Sequence, residues 1–215
     1  MDKELTTDEN KWLQVVKKSK RDALVNNKVL YKITVVMKRT IDVIAGIAGT
    51  CILIPLTIIV YLMKVIEKDK GPLFFSQERI GKDGKKFKMY KFRTMVVNAD
   101  EELKKILEND EEARKEYQKN KKLKNDPRIT KIGKFIRKTS IDEFPKFINV
   151  IKGEMSLVGP RPYLPREKEE MGEYYNNIIK CKPGLTGFWQ VNGRSDVTFD
   201  ERLDMDMKYY RTANV

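Results

Sequence analysis

The stretch TSIDEFPKFINVIKGEMSLVGPRP, from Thr139 to Pro162, places two adjacent carboxylates in a strongly basic chain. The acids are Asp142 and Glu143. Arg137 precedes them, and Arg161 follows them between two prolines. Neighbouring acids among fixed cations suit the binding of a divalent metal and a phosphate ester. They are also typical of a solvent-exposed helix end, so the rest of the chain has to decide between these readings.

The composition indicates a folded protein with an acidic partner. There are 44 lysines and arginines against 31 aspartates and glutamates, which gives a net charge of +13. This excess points to nucleic acid, anionic lipid or a phosphorylated substrate. The chain contains no histidine, which excludes imidazole bases, histidine-ligated zinc and a Ser-His triad. Its two cysteines form neither a disulfide framework nor a zinc motif.

An uncharged apolar run, VIAGIAGTCILIPLTIIVYLM, occupies residues 43–63 and has about the 20 residues that a membrane-spanning helix needs. Pro55 interrupts it, and lysines or arginines flank both ends. Since positive charge favours the cytoplasmic side, both ends would stay there if the helix turned back at Pro55. The residues alone leave a re-entrant helix and one kinked transmembrane helix as equal alternatives.

Elsewhere the pattern predicts an α+β fold that is mostly helical with a small β-hairpin. Alternating residues around a Gly-rich turn predict the hairpin over residues 73–96. Lys91 and Arg93 lie two apart and should share one face of its second strand. Residues 98–120 are predicted to form one charged, solvated helix. Apolar positions around Pro145 predict amphipathic helices that either lie in a membrane interface or pack against the domain.

The stretch KPGLTGFWQVNGR, residues 182–194, is predicted to be a loop because it contains three glycines and a proline. Trp189 offers stacking, while Gln190 and Arg194 offer directional hydrogen bonds, and this combination could hold a flat base. A tryptophan is more often a core residue, so both roles stay open. The tail from Phe199 onward is predicted to be helical.

These residue types permit phosphoryl transfer without histidine. A carboxylate can attack phosphorus and form an acyl phosphate, which divides one transfer between two bulky substrates into two steps. An adjacent carboxylate can hold Mg²⁺, and arginines can bind phosphate oxygens bidentately. The candidate residues for this chemistry are Asp142, Glu143, Lys91, Arg93, Arg137 and Arg161.

Several stretches carry a more specific signal: KRTID (38–42), the Pro-interrupted apolar run, FSQERIG (75–81), YKFRTM (90–95), NDPRITKIGKFIRKTSIDEFPKFINVIKGEMSLVGPRP (125–162) and KPGLTGFWQVNGR (182–194). Together they resemble the bacterial sugar transferase family, which consists of monotopic polyprenyl-phosphate phosphoglycosyltransferases. The resemblance implies transfer of a sugar-1-phosphate from a UDP-sugar to undecaprenyl phosphate, with release of UMP. Such a reaction starts the assembly of O-antigen, capsule, exopolysaccharide or another glycan.

The resemblance also assigns roles to the candidate residues. It implies that Asp142 is the nucleophile and that Glu143 is the ligand of a Mg²⁺ cofactor. Phosphate or nucleotide contacts are implied for Arg137 and Arg161, with Lys91 and Arg93 beside them. Gln190 and Arg194 are added as substrate-binding candidates from their hydrogen-bonding chemistry.

The same resemblance implies an arrangement in the bacterial inner membrane. Residues 1–36 are expected to form a polar basic extension, residues 37–68 a re-entrant membrane helix, and residues 69–215 a catalytic domain on the cytoplasmic face, with interfacial amphipathic helices. One departure concerns Ile54-Pro55, since the family often has Ser-Pro there. Thr50 or Thr57 would have to supply the missing hydroxyl.

Two other interpretations of the sequence stay open beside the sugar transferase. The first is a non-catalytic basic membrane adaptor for anionic lipid or nucleic acid, which explains the charge but not why SLVGPRP lies next to the acidic pair. The second is a ternary-complex transferase in which Asp142 acts as a base. The expected partners of the sugar transferase are a UDP-sugar, undecaprenyl phosphate and the lipid bilayer, with no nucleic acid. A homo-oligomer is left open. No residue selects the sugar.

Overall fold

The computed structural model describes residues 28–120, 123–192 and 197–212. Within them the fold is α+β and mostly helical with a β-hairpin, as predicted, and it has a second two-stranded sheet that was not predicted. Its elements are helix α1 (Lys28–Ile66), strands β1 (Phe74–Ile80) and β2 (Lys86–Phe92), helices α2 (Ala99–Asn109), α3 (Glu111–Asn120), α4 (Lys131–Lys138) and α5 (Lys146–Lys152), strand β3 (Ser156–Val158), helix α6 (Tyr175–Ile178), strand β4 (Gly184–Thr186), and helices α7 (Phe188–Val191) and α8 (Phe199–Thr212). Most of the predicted N-terminal extension lies outside the described residues.

Helix α1 is long and apolar enough to cross a membrane, judged by length and composition. It begins at Lys28, upstream of the predicted boundary at residue 37, and Pro55 lies inside it. The Thr57 hydroxyl donates to the Leu53 carbonyl at 2.7 Å, whereas the buried Thr50 hydroxyl has no partner. Of the two threonines proposed to replace the missing serine, Thr57 is therefore the one that bonds to the helix backbone near the proline.

The KRTID stretch anchors the upstream part of α1 to the domain. The Arg39 guanidinium donates to the carbonyls of Val150 and Ile151, both at 2.7 Å, in the last turn of α5. The last carbonyls of a helix have no donor four residues further on within the helix, so they can accept bonds from other segments. The buried Asp42 carboxylate accepts the backbone N–H of Leu157 at 2.8 Å. Both side chains therefore fix α1 against the segment that follows the acidic pair.

Small residues let α1 approach α5 closely. A Cβ atom at Gly49 would lie 2.3 Å from the ring of Phe147, and one at Gly46 would lie 2.8 Å from the side chain of Ile151. Neither distance is compatible with a larger side chain in this arrangement. Phe147 and Ile151 of α5 therefore pack over the two glycines. Helix α1 is held by this packing as well as by hydrogen bonds.

The downstream end of α1 contacts the same domain. The Lys64 ammonium is buried, lies 2.7 Å from Asp69 and donates to the Pro72 carbonyl at 3.2 Å. Asp69 also pairs with Arg93, which directly follows β2. Both ends of the apolar segment are thus attached to one folded unit.

The hairpin is confirmed, with β1 and β2 antiparallel and Phe74 opposite Phe92. The buried Asn149 amide joins it to α5, because Asn149 donates to the Lys88 carbonyl at 2.8 Å and accepts the Tyr90 N–H at 3.1 Å. This amide satisfies backbone groups on β2 from the side of the helix. The contact fixes the strand that carries Lys91 relative to the segment that carries the acidic pair.

The stretch 182–194 is more ordered than the loop prediction allowed. Its first part forms β4, which pairs in parallel with β3, and its second part contains the short helix α7. A Cβ atom at Gly184 would lie 2.2 Å from the backbone nitrogen of Gly159, so the two glycines allow the segments to approach. The prediction was wrong here because glycines that permit close packing look like glycines that form turns.

The predicted single helix over residues 98–120 was also wrong, because the structure has two helices there. They are separated at Asp110, whose backbone is extended (φ −128°, ψ 108°). The Asp110 carboxylate accepts the N–H of Ala113 at 2.9 Å and so caps the second helix. A capping residue inside a charged segment ended one helix and started the next.

Candidate active site

The acidic pair lies in a tight 3₁₀ turn, Ile141–Glu143, between α4 and α5. Ser140 enters the turn in the left-handed conformation (φ 57°, ψ 18°), and Pro145 follows it at the start of α5. Asp142 is buried with 8% of its surface exposed. The Glu143 side chain keeps 30% of its surface exposed, so it is the more accessible of the two acids.

Two lysines contact the pair. The Lys91 ammonium lies 2.5 Å from Oε1 of Glu143 and 3.8 Å from Oδ2 of Asp142. The Lys146 ammonium contacts Oε2 of Glu143 and is almost completely buried. Lys146 was missed from the sequence, although its place three residues after Glu143 beside a helix start was a usable signal.

The two acids differ in how their protonation is controlled. Burial raises the pKa of Asp142, Glu143 raises it further, and Lys91 opposes both. Burial also acts to raise the pKa of Glu143, but the charges of Lys91 and Lys146 outweigh it and bring that pKa to about 2. Burial, helped by Lys91, lowers the pKa of Lys146 to about 7. Glu143 is therefore the firmly ionised member of the pair.

Arg137 lies close enough to the acidic pair for their charges to interact. Its Nε donates to the Thr94 hydroxyl at 2.8 Å, which fixes one edge of the guanidinium. Burial lowers the pKa of Arg137, and the charge of Asp142 opposes this shift. Arg137 is therefore a cation held at the site by α4.

Arg93 is not brought to the acidic pair. The expected shared face with Lys91 is absent because β2 ends at Phe92. The buried Arg93 guanidinium instead lies 2.5 Å from Asp69 and donates to the Pro72 carbonyl at 2.7 Å. Arg93 therefore stabilises the connection from α1 to the hairpin.

Arg161 lies in a second group of charged and aromatic side chains. Its guanidinium is 5.7 Å from the ring of Trp189 and 6.0 Å from that of Tyr163. Its backbone N–H donates to the Asp206 carboxylate at 2.9 Å, and the Tyr163 hydroxyl donates to the same oxygen at 2.8 Å. Helix α8 thus fixes the backbone of the Pro-Arg-Pro segment and leaves the guanidinium beside the tryptophan.

Arg79, in the FSQERIG stretch, is a further cation that sequence reasoning missed. It donates to the Pro162 carbonyl at 2.9 Å and to the Gln77 side chain at 2.6 Å. Burial and the charge of Arg161 lower the pKa of Arg79 to about 10, while the charge of Glu143 acts in the opposite direction. Arg79 therefore lies within electrostatic range of Arg161, Glu167 and Glu143.

The remaining candidates lie in the stretch 182–194. The Gln190 amide donates to the Leu185 carbonyl at 3.0 Å, which orients that side chain within its own segment. Arg194 lies outside the described residues. The structure thus brings together Asp142, Glu143, Lys91 and Arg137, with Arg161 in an adjoining cationic group.

A family model for bacterial sugar transferases matches residues 33–215. The chain belongs to the bacterial sugar transferase family. It is 49% identical over 175 residues to the undecaprenyl-phosphate galactose phosphotransferase of Salmonella typhimurium. It is 46% identical over 175 residues to the UDP-galactose-lipid carrier transferase of Erwinia amylovora. It is 40% identical over 153 residues to the UDP-glucose:undecaprenyl-phosphate glucose-1-phosphate transferase of Escherichia coli.

These alignments cover 81%, 81% and 67% of this chain but only 36%, 36% and 30% of the respective relatives. The chain therefore spans about a third of the length of these curated relatives. Membership of the bacterial sugar transferase family confirms the resemblance that the motifs indicated.

The carboxylates of the acidic pair are the candidate ligands for Mg²⁺ at this site. Among the residues that the structure describes, no group of three or more His, Cys, Asp or Glu side chains could hold a metal. Mg²⁺ keeps several waters and is usually bound by one or two carboxylates plus substrate phosphates. Asp142 and Glu143 fit that pattern once a diphosphate is present, although both oxygens of Glu143 contact a lysine.

Proposed function

We propose that this bacterial sugar transferase moves a sugar-1-phosphate from a UDP-sugar to undecaprenyl phosphate and releases UMP. The observation that carries the proposal is the arrangement of Asp142 and Glu143 in one turn, in contact with Lys91 and close to Arg137. The names of the relatives support the reaction class, because they describe sugar phosphotransferases that act on undecaprenyl phosphate.

In the first step, an Asp142 oxygen attacks the β-phosphorus of the UDP-sugar. A bond forms between that oxygen and phosphorus, the bond from phosphorus to the bridging oxygen breaks, and UMP leaves with the electron pair. Lys91 and Arg137 are placed to balance negative charge near the reacting group. Glu143, with Asp142, would hold Mg²⁺, which when bound offsets the charge of the diphosphate.

In the second step, an oxygen of undecaprenyl phosphate attacks the same phosphorus. The bond between phosphorus and Asp142 breaks, which regenerates the carboxylate and yields undecaprenyl-diphospho-sugar. Two successive displacements let a water-soluble donor and a lipid acceptor react at one carboxylate without binding together.

The cationic group at Arg161 and Arg79 suits the phosphates of the donor nucleotide. Arginine binds phosphate oxygens bidentately, and the Trp189 ring beside Arg161 provides a flat apolar face. The relatives from Salmonella and Erwinia have names that specify galactose, so UDP-galactose is the first donor to test. UDP-glucose is the second, after the Escherichia coli relative.

We also propose that α1 is a re-entrant membrane helix and that the catalytic domain lies on the cytoplasmic face of the inner membrane. Support comes from the attachment of both ends of its apolar segment to one domain, through Arg39 and Asp42 upstream and Lys64 downstream. A helix that crossed the bilayer once would place these ends on opposite sides.

The central experiment compares wild type with Asp142→Asn in lipid nanodiscs, using UDP-galactose and UDP-glucose. Asp142→Asn is expected to lower UMP release by about a thousandfold or more, because the nucleophile is lost. Asp204→Asn, which changes an exposed acid on α8, is the control and should keep activity. Substantial UMP release by Asp142→Asn would exclude the covalent role, and trapping a labelled phosphosugar on Asp142 would exclude the ternary-complex route.

The adaptor alternative predicts different behaviour. A basic adaptor should bind anionic vesicles or nucleic acid with an affinity that falls steeply as salt rises, and it should release no UMP. A transferase should show donor turnover that depends on Mg²⁺. The UMP assay, run with and without Mg²⁺, therefore also separates these two classes.

A further inference from the structure

Glu143 is held by a cation on each of its two oxygens. Lys91 contacts Oε1 at 2.5 Å, and Lys146 contacts Oε2. The two lysines differ in accessibility, because the Lys91 side chain is 26% exposed and the Lys146 side chain only 6%. Lys91 lies on the hairpin, whereas Lys146 lies in the first turn of α5 directly after the acidic pair.

This arrangement affects any metal that uses Glu143. A divalent cation needs at least one carboxylate oxygen, and both oxygens already contact an ammonium group. A positive charge within a few ångströms also repels the metal, and the repulsion is strongest where water is excluded. Lys91 is exposed enough to move toward solvent or substrate phosphate, while the buried Lys146 has little room to leave.

We infer that Lys146 is a built-in counter-cation that competes with Mg²⁺ for Glu143 and so weakens metal binding at the acidic pair. The inference rests on the proposed role of Glu143 as a metal ligand. It assigns Lys146 a tuning role toward the metal, which acts through the carboxylate that it contacts. The ammonium keeps Glu143 compensated when no metal is bound, and the metal must displace that contact to bind.

The test measures binding of Mn²⁺ alone, as a stand-in for Mg²⁺, by electron paramagnetic resonance of the full chain in nanodiscs without donor. Lys146→Gln and Lys146→Met remove the charge, and the methionine retains the buried apolar stem. Each should tighten Mn²⁺ binding about tenfold or more, since a like charge within a few ångströms of a metal repels it strongly in a partly buried site. Lys146→Arg retains the charge and should bind Mn²⁺ as weakly as wild type.

Lys152→Gln is the matched control, because it removes the same charge from the same helix at an exposed position. It should leave Mn²⁺ affinity within about twofold of wild type, since exposed charges are screened by solvent and salt. Thermal unfolding without metal checks that each variant is folded, and Glu143→Gln should abolish the tightening when combined with Lys146→Met.

The inference is overturned if folded Lys146→Gln and Lys146→Met bind Mn²⁺ no more tightly than wild type. It is equally overturned if neither wild type nor these variants bind Mn²⁺ at millimolar concentration. Both results leave the covalent transfer at Asp142 to be decided by UMP release, which is a separate measurement. Conversely, failure of wild type to release UMP would reject the proposed function without changing the metal titration.

Discussion

At the scale of single residues, Asp206 gives the clearest dependence on pH. Its carboxylate is fully buried, and burial raises its pKa to about 6 from 3.8, against the hydrogen bonds from Arg161 and Tyr163. The folded state therefore binds more protons than the unfolded state between about pH 4 and 6, so stability falls as pH rises through that window.

Asp206→Asn should remove this dependence, on the order of 3 kcal/mol across the full window. The unfolding temperature of Asp206→Asn relative to wild type should rise as pH increases from 4.5 to 6.5. Thermal unfolding in nanodiscs at several pH values measures this difference, in which other titrating groups cancel. A difference that stays constant with pH would show that the Asp206 carboxylate titrates normally.

Substitutions of Lys91 and Arg93 are expected to change different properties, namely turnover for Lys91 and stability for Arg93. Lys91→Met removes the cation beside Asp142 and should lower turnover by about a hundredfold with an unfolding temperature near that of wild type. Arg93→Met removes a buried cation that bonds to Asp69 and to the Pro72 carbonyl, while Lys64 still pairs with Asp69, so it should cost about 1–3 kcal/mol of stability. Kinetics and thermal unfolding of both variants check this. A stable but inactive Arg93→Met would return Arg93 to the active site.

Which residues the sequence revealed depended on what kind of signal they carried. Asp142, Glu143 and Arg137 come from one nearly continuous motif, and strand β2 brings Lys91 into contact with the two acids. Lys146 looked like a solvated helix lysine, since its spacing of three residues from Glu143 allows a contact but does not show that its ammonium is buried. A spacing of two residues predicts a shared face only inside a strand, which ends before Arg93.

At the scale of elements, the glycines of α1 set its distance from α5. Gly49→Leu should force the helices apart, because a Cβ atom there already meets the Phe147 ring. We expect a cost of about 1–3 kcal/mol, typical of overpacking. Ala48→Leu is the control, because Ala48 is exposed on the neighbouring face. The unfolding temperatures of both variants in nanodiscs measure the effect, and equal values would mean that this contact contributes no stability.

Elements with strong local signals were predictable, namely the hairpin, the helices on both sides of Pro145 and the helical tail. The errors came from residues whose local meaning depends on a distant partner. In the sequence Gly184 is typical of a turn, but in the structure it packs against the backbone of Gly159. In the sequence Asp110 resembles the other charged residues of a helix, but in the structure its carboxylate accepts the N–H of Ala113 and caps the next helix.

At the scale of the whole molecule, the arrangement of α1 on the domain limits how the chain can sit in a membrane. Its exposed residues include many isoleucines, whereas Leu53 and Val60 pack inward with Phe92 and Ile136. One face of the helix thus packs against the domain, and the rest of its surface is apolar and exposed. Composition alone could not distinguish a re-entrant from a spanning helix, because both need the same length of apolar sequence.

Cysteine labelling tests the membrane arrangement directly. In a background with Cys51→Ser and Cys181→Ala, single cysteines are placed at Lys32 and Lys70, which are exposed on either side of the apolar segment. Because both flanks attach to one domain, we expect a membrane-impermeant maleimide to label both cysteines in inverted vesicles and neither in intact spheroplasts. A cysteine at Ile58, within the apolar segment, should resist labelling in both preparations, as a control for burial in lipid. Labelling of one flank from each side would instead establish a single crossing and require the contacts of Arg39 or Lys64 with the domain to break.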